Sequence, residues 1–168
     1  MSGQVRLARH TPVSVCQSLL EIEPLIVHRD DDLLVVMRRA AAQPETRLIG
    51  IVDEADVLIG VLPIVRIAES VIGRVVPEAL MFDIEDADDV ARFGHAIEAR
   101  TAGDAMIPPA AIGPEATIDE AFRLMHARHL SGLYVVDPSG RPTGYLDLLE
   151  LAIRYVEAIE ADSSPQSG

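Results

Sequence analysis

One pattern occurs twice in this chain and limits what the chain can fold into. An apolar run ends in aspartate and is followed seven residues later by glycine, at Asp53 and Gly60 and again at Asp137 and Gly144. Residues 137–140 read Asp-Pro-Ser-Gly, which is typical of a turn in which proline presets φ at the second position. Each copy therefore predicts a hairpin of two strands. Self-similarity at this scale indicates a duplicated unit.

The second copy carries clear helix signals on either side of its hairpin. Thr117 and Glu120 form a Thr-x-x-Glu capping box, in which each side chain accepts from a backbone N–H of the other residue. The apolar residues that follow have the i, i+3, i+4, i+7 spacing of one helical face: Ile118, Ala121, Phe122 and Met125. Asp147, with Glu150 three residues later, predicts the start of a closing helix.

The first copy has the same order of elements. Residues 25–27 predict a short strand, and Asp32 is a candidate N-cap for a helix that ends before Pro44. Strands are predicted at 48–53 and 57–62. Between the copies, Pro77 predicts a short helix, and residues 90–97 predict a linker helix. A leading strand at 110–112 introduces the second copy.

These elements predict five segments. They are an N-terminal segment 1–11, a first unit 12–72, linker helices 73–100, a second unit 101–160 and a disordered tail 161–168.

Composition narrows the possible partners and location. The formal net charge is −13, and the 14 basic residues are all arginine, so a phosphate backbone or an anionic membrane would be repelled. The chain has no 18-residue apolar run and no signal-peptide core, which predicts a cytoplasmic protein without membrane insertion. Cys16 is the single cysteine, so we expect a passive apolar role for it.

Several motifs of the second copy match one known family. They are Ala105-Met106, the run from Gly132 to Asp137, and Gly144 ahead of Asp147. The second copy resembles a CBS domain, named after cystathionine β-synthase, and the whole chain is similar to a tandem CBS pair. The resemblance implies an α+β (mixed α/β) fold of two βαββα-type units, packed about a pseudo-twofold axis with a helical linker. It also implies a homodimer.

The same resemblance implies a function. CBS pairs bind adenosine-containing ligands such as AMP, ADP, ATP or S-adenosylmethionine, need no cofactor, and regulate a partner protein. The ligand-binding residues that it implies are Ile107, Pro108, Ala110, Gly132, Leu133, Tyr134, Gly144, Asp147, Glu150, Gly60 and Arg66. The chain has no nucleophile elbow, P-loop, zinc-protease or dinucleotide motif, so we do not expect an enzyme.

Both copies depart from the ligand motif of the family, which is Gly, apolar, any residue, Ser or Thr, two residues, then Asp. In the second copy Gly144 matches and Glu150 keeps a carboxylate, but Asp147 replaces the hydroxyl that meets phosphate. Two like charges about 4 Å apart repel by roughly 4 kcal/mol at an effective dielectric of 20. In the first copy only Gly60 matches. Asp147 and Glu150 are also well suited simply to cap a helix. Because both ligand motifs are incomplete, the alternative function is an assembly module whose ligand sites have decayed.

An acidic run opens the linker helix. Asp86, Asp88 and Asp89 could hold a divalent cation through their carboxylates, which makes cation sensing a third possible function. Acidic residues in a first helical turn also complement the helix dipole. His126 and His129 lack a third ligand, so we predict no metal site there.

Overall fold

The computed structural model describes residues 7–17, 20, 22–75 and 85–163. In chain order the elements are α1 (Val13–Gln17), β1 (Ile26–His28), α2 (Leu33–Ala42), β2 (Leu48–Val52), β3 (Leu58–Pro63), α3 (Ile64–Val75), α4 (Ala87–Glu98), α5 (Ala102–Ala105), β4 (Ala111–Ile112), α6 (Ile118–Ala127), β5 (Gly132–Val136), β6 (Pro142–Asp147) and α7 (Leu148–Ser163). The helix predicted from Pro77 lies outside the described residues.

The chain divides into two compact units. Residues 24–110 form the first unit, and residues 1–23 with 111–168 form the second unit. Each unit has one three-stranded sheet, in the order β1-β2-β3 or β4-β5-β6. The first two strands of each sheet are parallel and the last two are antiparallel. The predicted mixed α/β fold with two small sheets is confirmed.

The two hairpins repeat each other in detail. The turn aspartate of each copy accepts hydrogen bonds from the amides two and four residues ahead, at 2.9 and 3.0 Å for Asp53 and at 2.8 and 3.0 Å for Asp137. The third residue after each aspartate has a positive φ, 61° at Asp56 and 81° at Gly140. The aspartate side chain thus satisfies the amides of the turn in each copy. The same turn, with the same seven-residue spacing from aspartate to glycine, gives the same hairpin in both units.

The predicted helix starts are observed. Asp32 accepts from the amides of Leu34 and Val35 at the start of α2, and Thr117 and Glu120 form both bonds of the capping box at the start of α6. Each cap satisfies amides that have no partner within the helix. The closing helix α7 runs to Ser163, three residues past the predicted end at 160, because residues 157–162 contain no helix breaker.

The boundaries of the packed units differ from the predicted boundaries 12–72 and 101–160. Residues 101–110 were predicted to open the second unit but belong to the first unit. There the amides of Ala102 and Gly103 donate to the carbonyls of Asp31 and Arg29, at 2.9 and 2.7 Å. Ala102 and Ala105 are part of the same apolar core as β1, β2 and α3.

The N-terminal residues 7–17 pack with the second unit, just as residues 101–110 pack with the first unit. The amide of Val13 donates to the carbonyl of Ala116 at 2.7 Å, and that of Ile118 donates to Thr11 at 3.1 Å. Leu7 is buried, and Arg9 forms an ion pair with Asp119. Residues 7–17 are therefore an ordered part of the second unit.

Candidate functional site

Gly60 and Ile107 lie where residues 106–110 meet strand β3. Val61 and Ile107 exchange both backbone hydrogen bonds, at 3.1 and 2.9 Å. The side chain of Met106 fills the space beside Gly60 that a Cβ atom would need. Ala110 is fully buried, whereas Pro108 is exposed. The structure thus brings four predicted residues of the first unit to one strand edge.

Gly144 has a matching environment in the second unit. The side chain of Gln17, at the end of α1, occupies the space beside Gly144. Gly60 and Gly144 also have equivalent registers, because each lies opposite the residue two before its turn aspartate, Ile51 or Val135. In both units a glycine of the last strand allows a segment distant in sequence to approach closely.

Three predicted residues of the second unit lie in the interior. Leu133 and Tyr134 have no exposed surface, and the Tyr145 ring covers Gly132. The rings of Tyr134 and Tyr145 are 5.2 Å apart at their centroids, a distance typical of an aromatic pair. In this structure the Tyr134 ring is therefore a core residue.

Asp147 caps the closing helix. Its Oδ1 atom accepts from the amides of Leu149 and Glu150 at 3.0 and 3.1 Å, and the Leu148 amide donates to the carbonyl of Ser131 at 2.9 Å. Asp147 is only 2% exposed. The first three amides of α7 are thus occupied, and the residue that occupies two of them is acidic. A phosphate group would have to displace a buried carboxylate to reach them.

Arg66 lies in the first turn of α3, and its surroundings differ from those of Asp147. Pro63 precedes this helix and offers no side-chain acceptor as a cap. Arg66 lines a cavity of about 50 Å³ between α3 and α4, together with Glu69, Ser70, Arg92, His95 and three alanines. Sequence reasoning singled out Arg66 but did not foresee this cavity, since its other wall comes from the linker helix.

The acidic residues of the linker act as helix caps. Asp86 accepts from the Asp89 amide at 2.9 Å, and Asp89 accepts from the Glu85 amide at 3.0 Å and pairs with Arg92. The Glu85 amide, as the largest cause, holds the pKa of Asp89 below its usual range. Within the described residues no three histidine, cysteine or acidic side chains form a group that could hold a metal ion.

A wider groove lies at the C-terminal end of α6. It has a volume of about 510 Å³ and is lined by Phe122, Met125, His126, His129, Leu130, Ser131 and Leu148. The His126 and His129 rings are 6.4 Å apart, and His129 has a φ of 52°. The sequence predicted no site here. The His-x-x-His spacing was its only signal.

Cys16 is fully buried. Burial raises the pKa of its thiol to about 11, and the thiol donates to the Pro12 carbonyl at 3.6 Å. Of the helices described, none is long and apolar enough to cross a bilayer.

Comparison with known proteins defines the class of this fold. Residues 102–157 match the model of the CBS domain family, and the chain has the fold of CBS-domain pair proteins. No curated protein matches the chain.

Among the solved structures, the chain is similar to a CBS domain-containing protein from Thermotoga maritima, with 19% identity and a TM-score of 0.71 over 89% of this chain and 97% of that one. It is also similar to the CBS domain pair of protein MJ0100 in complex with 5′-methylthioadenosine and S-adenosylmethionine, with 16% identity and a TM-score of 0.63 over 88% and 97% of the two chains. A third is CBSX2, a CBS-pair protein from Arabidopsis thaliana, solved in complex with AMP. It has 18% identity and a TM-score of 0.61, over 89% of this chain and 98% of that one.

Proposed function

We propose that this chain is a regulatory module that binds an adenosine-containing ligand and thereby modulates a partner protein, without catalysing a reaction. The main support is that two proteins with this fold, the MJ0100 pair and CBSX2, were solved with adenosine compounds bound. A ligand regulates such a module by a population shift, which requires it to prefer one arrangement of the protein.

The strand edge at Gly60 is the part of the first unit best suited to an adenine ring. Here the Ile107 carbonyl lies beside Gly60. Its oxygen accepts from the Val61 amide and keeps a second lone pair that could accept from an adenine amino group. Ligand sites combine an apolar lining with a few placed polar groups. We therefore propose Ile107 and Pro108 as base-binding residues of the first unit, whereas Gly60, which Met106 covers, and Ala110, which has no exposed surface, shape this edge from within.

In the second unit the helix start favours hydroxyl groups over phosphate. The Asp147 carboxylate already occupies two amides of α7, and a like charge beside it is unfavourable. We propose that Gly144 and Glu150 contact the ribose of a ligand there. A carboxylate accepts hydrogen bonds from ribose hydroxyls.

Thermal unfolding tests this proposal. At one hundred times its dissociation constant, a ligand adds about 2.7 kcal/mol of stability, which raises Tm by roughly 5–10 °C for a chain of this size. AMP, ADP, ATP, S-adenosylmethionine and 5′-methylthioadenosine would be tested singly, with magnesium chloride as a separate sample. The proposal fails if Tm stays constant with every adenosine compound. A rise with magnesium alone would instead support cation sensing.

A second candidate function is homodimerisation and docking. Leu149, Ile153 and Val156 lie at i, i+4 and i+7 on α7 and are each about half exposed, at 49, 50 and 51%. Apolar side chains at this spacing form one stripe along a helix, and a contiguous exposed patch of this kind is typical of an interaction surface. A second copy of the chain offers the same stripe, so two such helices could pack against each other.

A further inference from the structure

The cavity between α3 and α4 contains more positive charge than its surroundings explain. The guanidinium groups of Arg66 and Arg92 line it, as does the imidazole of His95. A third guanidinium, that of Arg74, lies next to it, because Arg74 donates to the carbonyl of Ala99, a residue of the cavity wall. Three carboxylates among the described residues lie near this group: Glu69 in the wall, Asp89, which pairs with Arg92, and Asp104, whose carboxylate interacts with the charge of His95. Asp89 is engaged by Arg92, and Asp104 accepts from the Arg100 and Thr101 amides. Of these three carboxylates, Glu69 is therefore the one left opposite Arg66 and Arg74.

Two of these guanidinium groups have unused donors. Within residues 7–17, 20, 22–75 and 85–163, Arg66 makes no ion pair or side-chain hydrogen bond that the structure records, even with Glu69 one turn ahead. The Nε atom of Arg74 is buried and has no acceptor there. A buried donor without an acceptor destabilises a fold by about 1–3 kcal/mol. Arg66 is further disfavoured by its place at the positive end of α3. An anion in the cavity would relieve the cost at Arg66, which lines it.

The size of the cavity selects the kind of anion. About 50 Å³ is several times the roughly 10–15 Å³ that one water needs, but far below the roughly 300–1,000 Å³ of a site for a whole small molecule. The alanine wall, at Ala96, Ala99 and Ala105, leaves this space open. His95 is held in place because its Nε2 atom lies 3.1 Å from the Asp104 carbonyl oxygen. Guanidinium groups bind phosphate through paired, planar hydrogen bonds.

We propose that this cavity is an oxyanion site that binds a phosphate group through Arg66, with Arg74 and Arg92 as further cations. The phosphate is either free or the end of a nucleotide, and both sources share the same chemistry. The site is formed entirely by the first unit. It does not depend on the proposed adenosine function.

Calorimetry with inorganic phosphate at low ionic strength tests the proposal on the full chain. Arg66→Met keeps the aliphatic stem and removes the charge, and we expect phosphate binding to weaken on the order of tenfold, as for loss of one charged hydrogen bond. Arg38→Met is the matched control, because Arg38 is exposed on α2 of the same unit. It should leave the affinity within about twofold when the titration is repeated at about 0.15 M salt, where a surface charge outside the cavity is screened. Ala96→Leu keeps all the charges but fills the cavity, so it should abolish phosphate binding.

Parallel titrations with AMP and adenosine separate the two sources. Weakening of phosphate and AMP binding by Arg66→Met, with adenosine unchanged, supports a site for a nucleotide phosphate; weakening of phosphate alone supports a site for the free ion. The proposal is overturned if the wild-type chain binds no phosphate, or if the two arginine variants weaken binding equally. If AMP binds and Arg66→Met has no effect, this inference fails while the adenosine function stands. If phosphate binds but no adenosine compound binds, this inference stands and the adenosine function fails.

Discussion

The side chain of Met106 lies in the space that a Cβ atom on Gly60 would need, with its Cγ atom 3.0 Å from that position. Gly60 is in the last strand of the first unit, and Met106 lies in the segment 101–110 that opens the second unit predicted from the sequence. Gln17 and Gly144 have the same relationship in the second unit. The glycine of each repeat is therefore explained by close packing, since neither has a positive φ.

Gly60→Ala is expected to destabilise the chain by about 1–3 kcal/mol, because Met106 and the nearby Ile107 carbonyl would have to move. Urea unfolding measures the change. Gly94→Ala is the matched control. Nothing lies within 4 Å of a Cβ at that helical position, so alanine should stabilise α4 by roughly 0.5–1 kcal/mol. Equal effects at the two glycines would contradict the packing explanation, as would a failure of Met106→Ala to lessen the cost of Gly60→Ala.

Asp147→Ala should cost about 1 kcal/mol, because two amides at the start of α7 lose their acceptor. Asp147→Ser keeps an N-cap oxygen and should retain most of that stability. Both free energies come from urea unfolding at neutral pH. Glu157→Ala, on the exposed side of the same helix, controls for loss of one negative charge and should change stability by less than about 0.5 kcal/mol. If serine is no better than alanine, capping is not the role of Asp147 in stability.

Two capping boxes make stability depend on pH in the acid range. One is Thr117–Glu120 at the start of α6, and the other is Thr101–Asp104 at the start of α5, where each side chain accepts from the amide of the other residue. The Thr117 amide, as the largest cause, lowers the pKa of Glu120, and the Arg100 amide, as the largest cause, lowers that of Asp104. A carboxyl whose pKa is lowered by folding stabilises the fold above its unfolded pKa, near pH 4. That stability is lost as the pH falls through the lower folded pKa.

Glu120→Gln should therefore reduce the fall in Tm between pH 7 and pH 3, while changing Tm at pH 7 only slightly, because glutamine can also complete a capping box. Calorimetric scans across this range measure both quantities. A variant whose Tm falls with acid as steeply as the wild type would contradict the assignment to Glu120.

Ile153→Glu should dissociate a homodimer if the apolar stripe of α7 is its interface, since a charge buried in an apolar interface is unfavourable. Sedimentation equilibrium would show a change from dimer to monomer. Arg154 is exposed and points about 100° around the same helix from Ile153, so Arg154→Glu should leave the dimer intact. A wild-type chain that sediments as a monomer, or a dimer unaffected by Ile153→Glu, would rule out this stripe.

Elements governed by neighbours in sequence could be predicted from the sequence. The Asp53 and Asp137 turns depend on an aspartate and the amides just ahead of it, and the Thr117–Glu120 box spans a single helical turn. These hydrogen bonds form wherever the local residues allow them. The repeat, the strand and helix order and the resemblance to CBS domains all follow from such local patterns.

Only the tertiary structure decided which segments complete each unit. Residues 101–110 pack with the first copy and residues 7–17 with the second, because a strand edge or an apolar face accepts any segment that fits it, however distant in sequence. The Arg66 cavity arises in the same way: its two walls come from α3 and from a linker helix that begins more than 20 residues later. Long-range packing of this kind leaves no local pattern, so the sequence by itself predicted Arg66 as a candidate but not the arginines and histidine that surround it.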